Sequence, residues 1–319
     1  MYKNLSPSGL GLTGRQSEVI ELALTYGFRG FDVDMDHLVK QAQRRDVAHA
    51  RRFIDSAKNF ATGSAIGGWR TSIRLGGDEA AYKQDLAHLT EAAEIAGAIS
   101  ALRCQTVILP GSDKLPYHEN FELHRKRLGE IGEMLAKHGV SLGLDFQPTQ
   151  AQRKNFAHEF IHDFEGLLAL VKTVASPSVG IVLDTWNWHI GGGGMDQLRE
   201  LTLSEINSVR IADVPGDADL DKITVRQRVL PTDSGLVDIE AILRLLIEKS
   251  YKGPVSPCPS QASFTGSTRE TIVQMAAESM EQLWLALGLS KSKAVEAAAV
   301  AAADEEESDD EEESSSSDE

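Results

Sequence analysis

Short runs of apolar residues alternate along the chain with longer segments whose apolar residues recur every three or four positions. The short runs are rich in β-branched residues, which is typical of strands that are buried on both faces. The longer segments follow helical periodicity. Beyond an extended start around Leu5, the predicted strands are Gly30 to Val33, Phe60 to Gly67, Cys104 to Leu109, Val140 to Phe146, Val179 to Leu183, Ser208 to Ile211 and Pro254 to Ser256. The predicted helices are Gly14 to Tyr26, Asp36 to Ala57, Tyr82 to Ala98, Asn120 to His138, Asp163 to Val174, Asp196 to Leu203, Ile239 to Lys249 and Thr268 to Leu287.

This alternation predicts an α/β fold, a (β/α)8 TIM barrel that forms a single domain over residues 1–288. About eight strand and helix units in a chain of this length match the usual size of such a barrel. A doubly wound open sheet is the alternative for an alternating pattern. No G-x-G-x-x-G motif follows the first strand, however, and its absence favours the closed barrel.

The last residues, 289–319, differ in composition from everything before them. Alanine, acidic residues and serine dominate from Lys291 onward, and residues 304–319 contain 11 acidic and no basic side chains. We expect this low-complexity tail to be disordered because its like charges repel one another. Two interpretations of the tail stay open, a solvated segment and a contact surface for a basic partner.

Composition and charge narrow the function classes. The formal net charge is −16, of which residues 1–303 carry only −5. A mildly acidic body argues against binding duplex nucleic acid, which requires a basic face. No apolar run approaches the roughly 18 residues that span a bilayer, and no signal-like segment opens the chain. We therefore expect a cytoplasmic protein without a membrane partner, and the sequence is compatible with a homo-oligomer.

The first candidate site residues lie where the strand from Val179 ends, in the sequence VGIVLDTWNWHIGGGG. Asp184 stands where a strand buried on both faces tolerates a charge poorly, so we expect it at the strand end in a cleft, with a turn-capping role as the alternative. Trp186 and Trp188 could stack on a sugar ring or form the wall of a cleft. His189 could be a general base or a hydrogen-bonded structural residue. The four glycines predict a working loop directly after the strand.

Six stretches of the chain carry a family resemblance. They are ELALTYGFRGFDVD, LGLDF, GIVLDTWNWH, VRIADVP, RVLPTDSGLVD and YKGPVSPCP. Over residues 5–287 the chain resembles the xylose isomerase-like family of sugar isomerase and epimerase barrels. The resemblance implies proton transfer next to the carbonyl of a sugar or sugar phosphate. It also implies a divalent cation such as Mg²⁺ or Mn²⁺, held by Glu, Asp, His and Glu from four strand ends.

The four metal positions of that family are only partly matched here. The resemblance puts Asp145 at the first Glu, Asp184 at the Asp, Arg210 at the His and Cys258 at the last Glu, with Asn187 at an accessory His. A guanidinium cannot ligate a metal and repels it, so we expect no ordinary metal site, and Asp145 and Asp184 are the ligands if any cation binds. We expect both carboxylates to form charge-assisted hydrogen bonds with Arg210 instead. Such a trio could hold an anionic or polyhydroxylated ligand, or be a buried structural network.

Four further residues are candidates for contact with the substrate. Arg226 and Arg228 lie in a stretch that resembles the family's substrate loop, so one of them could bind a phosphate or carboxylate, with a surface position as the alternative. Trp69 follows the Gly67-Gly68 turn at another strand end that should face the barrel mouth. Cys258 could be a nucleophile or an acid/base group, or simply a small buried apolar residue.

Two functions from different classes remain open. The first is an isomerase or epimerase in which Asp145 or His189 is the base and Arg210 replaces the metal as electrophile. The second is a non-catalytic barrel that binds a sugar-like metabolite or a protein partner. Cleavage of damaged DNA, the activity of the endonuclease IV branch of the family, is disfavoured because the chain lacks a basic face and the ligands for a metal cluster.

Overall fold

Strands and helices alternate along the chain in a computed structural model that describes residues 1–59, 64–231 and 235–290. The strands are β1 (Tyr2–Leu5), β2 (Gly30–Phe31), β3 (Ala65–Ile66), β4 (Trp69–Arg70), β5 (Arg103–Val107), β6 (Gly111–Ser112), β7 (Ser141–Asp145), β8 (His158–Glu159), β9 (Val179–Asp184), β10 (Ile206–Ile211) and β11 (Pro254–Pro257). The helices are α1 (Pro7–Leu10), α2 (Gln16–Thr25), α3 (Met35–Arg44), α4 (Val47–Asn59), α5 (Glu79–Ile99), α6 (Tyr117–Ala136), α7 (Gln150–Arg153), α8 (Phe164–Val174), α9 (Thr185–Ile190), α10 (Met195–Glu200), α11 (Ile239–Glu248) and α12 (Arg269–Ala286). Short 3₁₀ helices span Leu203–Glu205, Val225–Gln227 and Gln261–Phe264.

The main sheet closes on itself through two very short strands. Its order is β3, β2, β1, β11, β10, β9, β7, β5 and β4, and the two strands at its ends, β3 and β4, are separated in the chain only by Gly67 and Gly68. Because β3 pairs in parallel with β2 and β4 pairs in parallel with β5, residues 65–70 occupy a single position in the ring. The sheet is therefore a barrel with about eight strand positions, and the predicted TIM barrel is confirmed.

Strands β9 and β10 are buried at every residue, as expected for strands covered by helices on one face and by the barrel interior on the other. The register of β10 against β9 shifts between Ile206 and Ser208. Beyond this irregularity, Ser208 and Arg210 point into the barrel, where the side chains of both meet Gln105 of β5. Polar side chains thus reach the interior close to the carboxyl ends of the strands.

Several of the predicted helices differ in extent from the observed ones: α5 begins at Glu79 rather than Tyr82, and α10 ends at Glu200 rather than Leu203. The segment Asp36 to Ala57 is not one helix, because the backbone of Arg45 leaves the helical region between α3 and α4. The carboxylate of Asp46 then accepts a hydrogen bond from the N–H of His49 at 2.6 Å, and such N-terminal caps favour a new helix start. The helix predicted from Asn120 begins earlier, at Tyr117.

Residues 60–63 of the predicted strand Phe60 to Gly67, and the tail from residue 291 onward, lie outside the described residues. Within the described ranges, none of the helices is long and apolar enough to cross a membrane.

Gly180 lies in β9 where the backbone of a neighbouring segment approaches closely. A Cβ atom at this position would lie 2.4 Å from the carbonyl oxygen of Glu205, so one of the two segments would have to move. We expect Gly180→Ala to lower the free energy of unfolding in urea by about 1–3 kcal/mol, the usual cost of overpacking. Gly129→Ala in α6 is the matched control, since a Cβ there would meet nothing within 4 Å. It should raise the free energy of unfolding by about 0.5–1 kcal/mol, and equal effects of the two substitutions would contradict the close approach at Gly180.

Candidate functional site

Three charged side chains meet at one level of the barrel. Asp145 is the last residue of β7, Asp184 is the last residue of β9, and Arg210 lies one residue before the end of β10. The strand register pairs Arg210 with Asp184, and it pairs Asp145 with Val107 of β5. In TIM barrels, the carboxyl ends of the strands form the face that carries the active site. The prediction that Asp184 ends a buried strand is confirmed.

The first ion pair joins β7 to β10. Nη1 of Arg210 donates to Oδ2 of Asp145 at 3.1 Å, and the two side chains are only 5% and 6% exposed. Nη2 of Arg210 also donates to Oε1 of Gln105, whose Nε2 donates to the hydroxyl of Ser208 at 3.0 Å. These hydrogen bonds hold the guanidinium of Arg210 in place. Because the ion pair is buried, removing either partner would leave the other charge uncompensated.

The second ion pair joins β9 to the loop that follows β10. Nη2 of Arg228 donates to Oδ2 of Asp184 at 2.5 Å, and Nε of Arg228 donates to the carbonyl oxygen of Cys258 at 3.0 Å. The guanidinium also lies over the ring of Trp186, 5.1 Å from its centroid, which is a favourable cation–π position. The hydrogen bond between Arg228 and Cys258 is therefore accepted by the backbone of Cys258.

Asn187 links the two ion pairs. Its backbone N–H donates to Oδ1 of Asp184 at 3.1 Å, and its Nδ2 donates to Oδ1 of Asp145 at 2.8 Å. Its Oδ1 accepts a hydrogen bond from Nη1 of Arg228 at 3.1 Å. The backbone contact makes Asp184 the N-cap of α9. The working loop predicted directly after Asp184 is therefore wrong over Thr185–Ile190, and the glycines come only after this helix.

Burial and neighbouring charges set the protonation of the cluster. Burial raises the pKa of Asp145, and the nearby Asp184 carboxylate raises it further, against the opposing effect of the Arg210 guanidinium. Burial, the largest single effect, would lower the pKa of Arg228, but the Asp184 and Asp145 carboxylates act against it, and the pKa of Arg228 lies above its ordinary value. Asp145 therefore holds a proton more readily than an ordinary aspartate does, whereas Arg228 stays charged.

Three other predicted site residues have different surroundings. Trp69 and Trp188 are only 1% and 7% exposed. The indole N–H of Trp69 donates to the carbonyl oxygen of Ala101 at 2.9 Å, and the indole of Trp188 packs against Gly193. His189 lies half-buried on α9, where burial lowers its pKa and Asp213 opposes the shift. The described contacts therefore assign the two tryptophans to the core rather than to the cluster.

Arg226 and Arg228 stand only two residues apart but point in different directions. Arg226 is exposed in the 3₁₀ helix Val225–Gln227, whereas the side chain of Arg228 is only 11% exposed. Two backbone hydrogen bonds between Asp213 and Val229, at 2.9 and 3.1 Å, hold the loop against the end of β10. Of the two arginines, Arg228 is the one that the loop directs into the barrel mouth.

Several polar residues around the cluster were missed in the sequence. Gln105 is one of them, and a polar residue inside the apolar run CQTVIL is the signal that could have found it. On the other side of the barrel, Nδ2 of Asn4 donates to Oδ1 of Asp32 and to the hydroxyl of Ser256, both at 2.9 Å. The strand register puts Ser256, not Cys258, level with Arg210.

These residues do not fit a divalent cation. The carboxylates of Asp145 and Asp184 each receive a guanidinium, and two permanent positive charges at this point repel a metal ion. Within residues 1–59, 64–231 and 235–290, no three histidine, cysteine, aspartate or glutamate side chains are grouped so that they could hold a metal ion. The positive charge of this site is therefore supplied by arginine side chains.

A parallel barrel with charged side chains gathered at the carboxyl ends of its strands is a TIM-barrel protein that presents its site on that face. The chain belongs to the xylose isomerase-like TIM barrel family, whose model matches residues 20–283. The family resemblance predicted from the sequence is thereby confirmed.

The individual relatives have low sequence identity to this chain. An inosose isomerase of Halalkalibacterium halodurans is 26% identical over 181 residues, which are 56% of this chain. The match spans 60% of the length of that curated relative. A xylose isomerase domain protein from Alicyclobacillus acidocaldarius superposes with a TM-score of 0.76 at 22% identity, over 89% of this chain and 98% of that chain. The structure of IolI with a bound zinc atom superposes with a TM-score of 0.71 at 19% identity, over the same shares, 89% and 98%. At these identities the structural likeness shows the fold alone.

Removing Arg228 tests the second ion pair. Arg228→Ala leaves the Asp184 carboxylate buried without its partner, so we expect the free energy of unfolding to fall by about 3–5 kcal/mol in urea titrations. Arg51→Ala in α4 removes one member of an exposed ion pair with Asp55 and should change it by less than about 1 kcal/mol. A loss at Arg228 no larger than the loss at Arg51 would mean that this pair does not hold the site together.

Replacing Arg210 tests the conflict between the arginines and a metal. Arg210→His removes a fixed cation and supplies an imidazole that can ligate a metal beside Asp145 and Asp184. We expect Mn²⁺ binding, measured by electron paramagnetic resonance, to become at least about tenfold tighter than in the wild type, which corresponds to about 1.4 kcal/mol. Arg51→His should bind Mn²⁺ as the wild type does. Wild-type binding as tight as that of the Arg210 variant would show that Arg210 does not repel the ion.

Proposed function

We propose that the chain is an isomerase or epimerase that binds a small polyhydroxylated carbonyl compound at the carboxyl ends of the barrel strands. The substrate class is a sugar, a sugar phosphate or a related cyclic polyol. The observation that carries the proposal is the pair of aspartates, each joined to a buried arginine, at this face of the barrel. The match to an inosose isomerase supports the same substrate class. The reaction is transfer of a proton on the carbon next to the carbonyl.

In this proposal Asp145 is the base. A carboxylate has about four acceptor positions, and the described contacts of Asp145 use three of them. Oδ1 accepts from Asn187 and from the backbone N–H of Phe146, and Oδ2 accepts from Arg210. One position on Oδ2 therefore remains for a substrate proton. The raised pKa of Asp145 makes its carboxylate a stronger base than an ordinary aspartate.

Arg210 and Arg228 supply the electrophile. Removing the proton places negative charge on the carbonyl oxygen of an enediolate, and fixed guanidinium groups in a buried site stabilise such charge. Asp145 then returns the proton to the former carbonyl carbon while the hydroxyl proton passes to the enediolate oxygen, which completes an isomerisation. Epimerisation requires a second acid on the opposite face of the substrate.

Burial favours a second candidate function, a non-catalytic barrel that binds a sugar-like ligand. Asp145, Asp184 and Arg210 are 4%, 3% and 4% exposed, so a ligand carbon has little direct access to them. In this case the ion pairs form the bottom of the binding site, and the ligand binds above them without reacting.

Deuterium exchange separates the two candidates. In D₂O the wild-type protein should exchange the proton next to the carbonyl of at least one inosose, ketose or ketose phosphate, followed by proton NMR. Asp145→Asn should slow this exchange by at least about 100-fold, because an amide cannot accept the proton. Asp196→Asn makes the same change where the side chain is 94% exposed, and it should exchange like the wild type.

Other outcomes of the same panel are informative. Calorimetric binding of these compounds without exchange would support the non-catalytic candidate. Exchange that persists in Asp145→Asn would show that another residue is the base, and neither binding nor exchange across the panel would contradict both functions.

A further inference from the structure

Arg70 stands at the end of β4 with its guanidinium largely uncoordinated. The strand register puts it beside Gln105, the residue that also holds Arg210. Its hydrogen bond within the described residues is a long one, from Nη1 to the hydroxyl of Ser8 at 3.5 Å. A guanidinium carries five N–H donors, so most donors of Arg70 have no acceptor among the described residues.

The charges around Arg70 are not arranged as an ion pair. Arg70 is exposed at the barrel mouth, and the nearby Arg210 guanidinium repels that of Arg70 and lowers the pKa of Arg70. The carboxylates of Asp145 and Asp32 attract Arg70, yet the ion pairs within the described ranges do not include it. Two neighbouring guanidinium groups, one of them without a carboxylate, favour the arrival of an anion.

A cavity of about 360 Å³ opens beside Arg70. A volume of this size is typical of a site for a small molecule. Its polar lining includes Arg70, Ser8 and Gln16 together with three acidic residues, Asp32, Asp34 and Asp36. The cavity therefore joins one unpaired cation to neutral and acidic hydrogen-bonding groups.

The backbone that carries Arg70 is held in place. The N–H of Thr71 extends the pairing of β4 with β5 at 2.9 Å. Further along, Nη1 of the buried Arg127 donates to the carbonyl oxygens of Leu75 and Gly77, both at 2.7 Å. Arg70 is thus presented from a rigid strand end, which limits the entropy lost when a ligand binds.

We infer that Arg70 binds an oxyanion of the substrate, a carboxylate or a phosphate, so that the substrate is an anionic polyhydroxylated compound rather than a neutral sugar. The inference rests on the proposed function in one respect, that the ligand occupies this face of the barrel. The planar donors of arginine match the oxygens of either anion.

The carboxyl groups in the same cavity suit the hydroxylated end of such a ligand. Asp32 accepts a hydrogen bond from Asn4, and burial raises the pKa of Asp32. Asp34 accepts a hydrogen bond from the backbone N–H of His37, in the first turn of α3. These groups can accept hydrogen bonds from substrate hydroxyls, while Arg70 selects for negative charge.

Isothermal titration calorimetry with inorganic phosphate, D-glucuronate and neutral D-glucose tests the inference. The wild-type protein should bind phosphate or glucuronate at millimolar concentrations, more tightly than glucose, and the tighter of the two identifies the oxyanion. Arg70→Gln should weaken that binding about 10- to 100-fold, as expected for lost hydrogen bonds to a charged group. Arg70→Lys keeps the charge without the planar donors and should lie between. The exposed Arg51→Gln is the control and should bind like the wild type.

Thermal unfolding without ligand gives a second readout. Because Arg70 is exposed and its hydrogen bond to Ser8 is long, Arg70→Gln should not lower the melting temperature, and a large fall would assign Arg70 a structural role and overturn the inference. Wild-type protein that binds neither anion, or an Arg70→Gln variant that binds them equally well, would overturn it too. Calorimetry does not depend on turnover, so a chain that binds anions through Arg70 but exchanges no deuterium keeps this inference and loses the isomerase proposal.

Discussion

The balance of charge inside the barrel mouth is the constraint on which this site depends. Asp145 and Asp184 end neighbouring strands in a place where water has little access, so burial and the Asp184 carboxylate make ionisation of Asp145 more costly. Arg210 and Arg228 offset that cost with one ion pair each. Asn187 contacts both aspartates and Arg228. The groups form one hydrogen-bonded unit in which a change at any member affects the others.

Local features of the backbone around the barrel mouth position the side chains of this cluster. The irregularity in β10 turns Arg210 into the interior, where a regular strand would have alternated differently. The backbone bridge between Asp213 and Val229 brings the loop after β10 back over the strand ends and delivers Arg228. The N-cap of α9 starts a helix directly after β9 and so places Asn187 between the two pairs. Each feature looks local, and each serves a contact between distant parts of the chain.

Hydrophobic periodicity predicted the alternating strands and helices and the strand ends that carry Asp145 and Asp184, whereas Arg210 was identified through the family resemblance. Parallel strands in a closed ring bring their carboxyl ends to one face, so position along the strand decides position in the site. Periodicity could not choose between Arg226 and Arg228, which are both polar loop residues in the sequence. Only the pairing with Asp184, 44 positions away, distinguishes them, and that pairing depends on the path of the loop in space.

Arginine at a metal position changes what such a site can select. A metal ion accepts the carbonyl and hydroxyl oxygens of a neutral sugar as ligands, whereas a guanidinium only donates hydrogen bonds, in one plane. Arg210 and Arg228 are already neutralised by aspartates, so they add no net charge to the mouth. Arg70 lies outside the ion pairs described here, in a cavity that it shares with Asp32, Asp34 and Asp36. The balance that lets the site hold together without a metal therefore leaves the choice of ligand to a cation outside that balance.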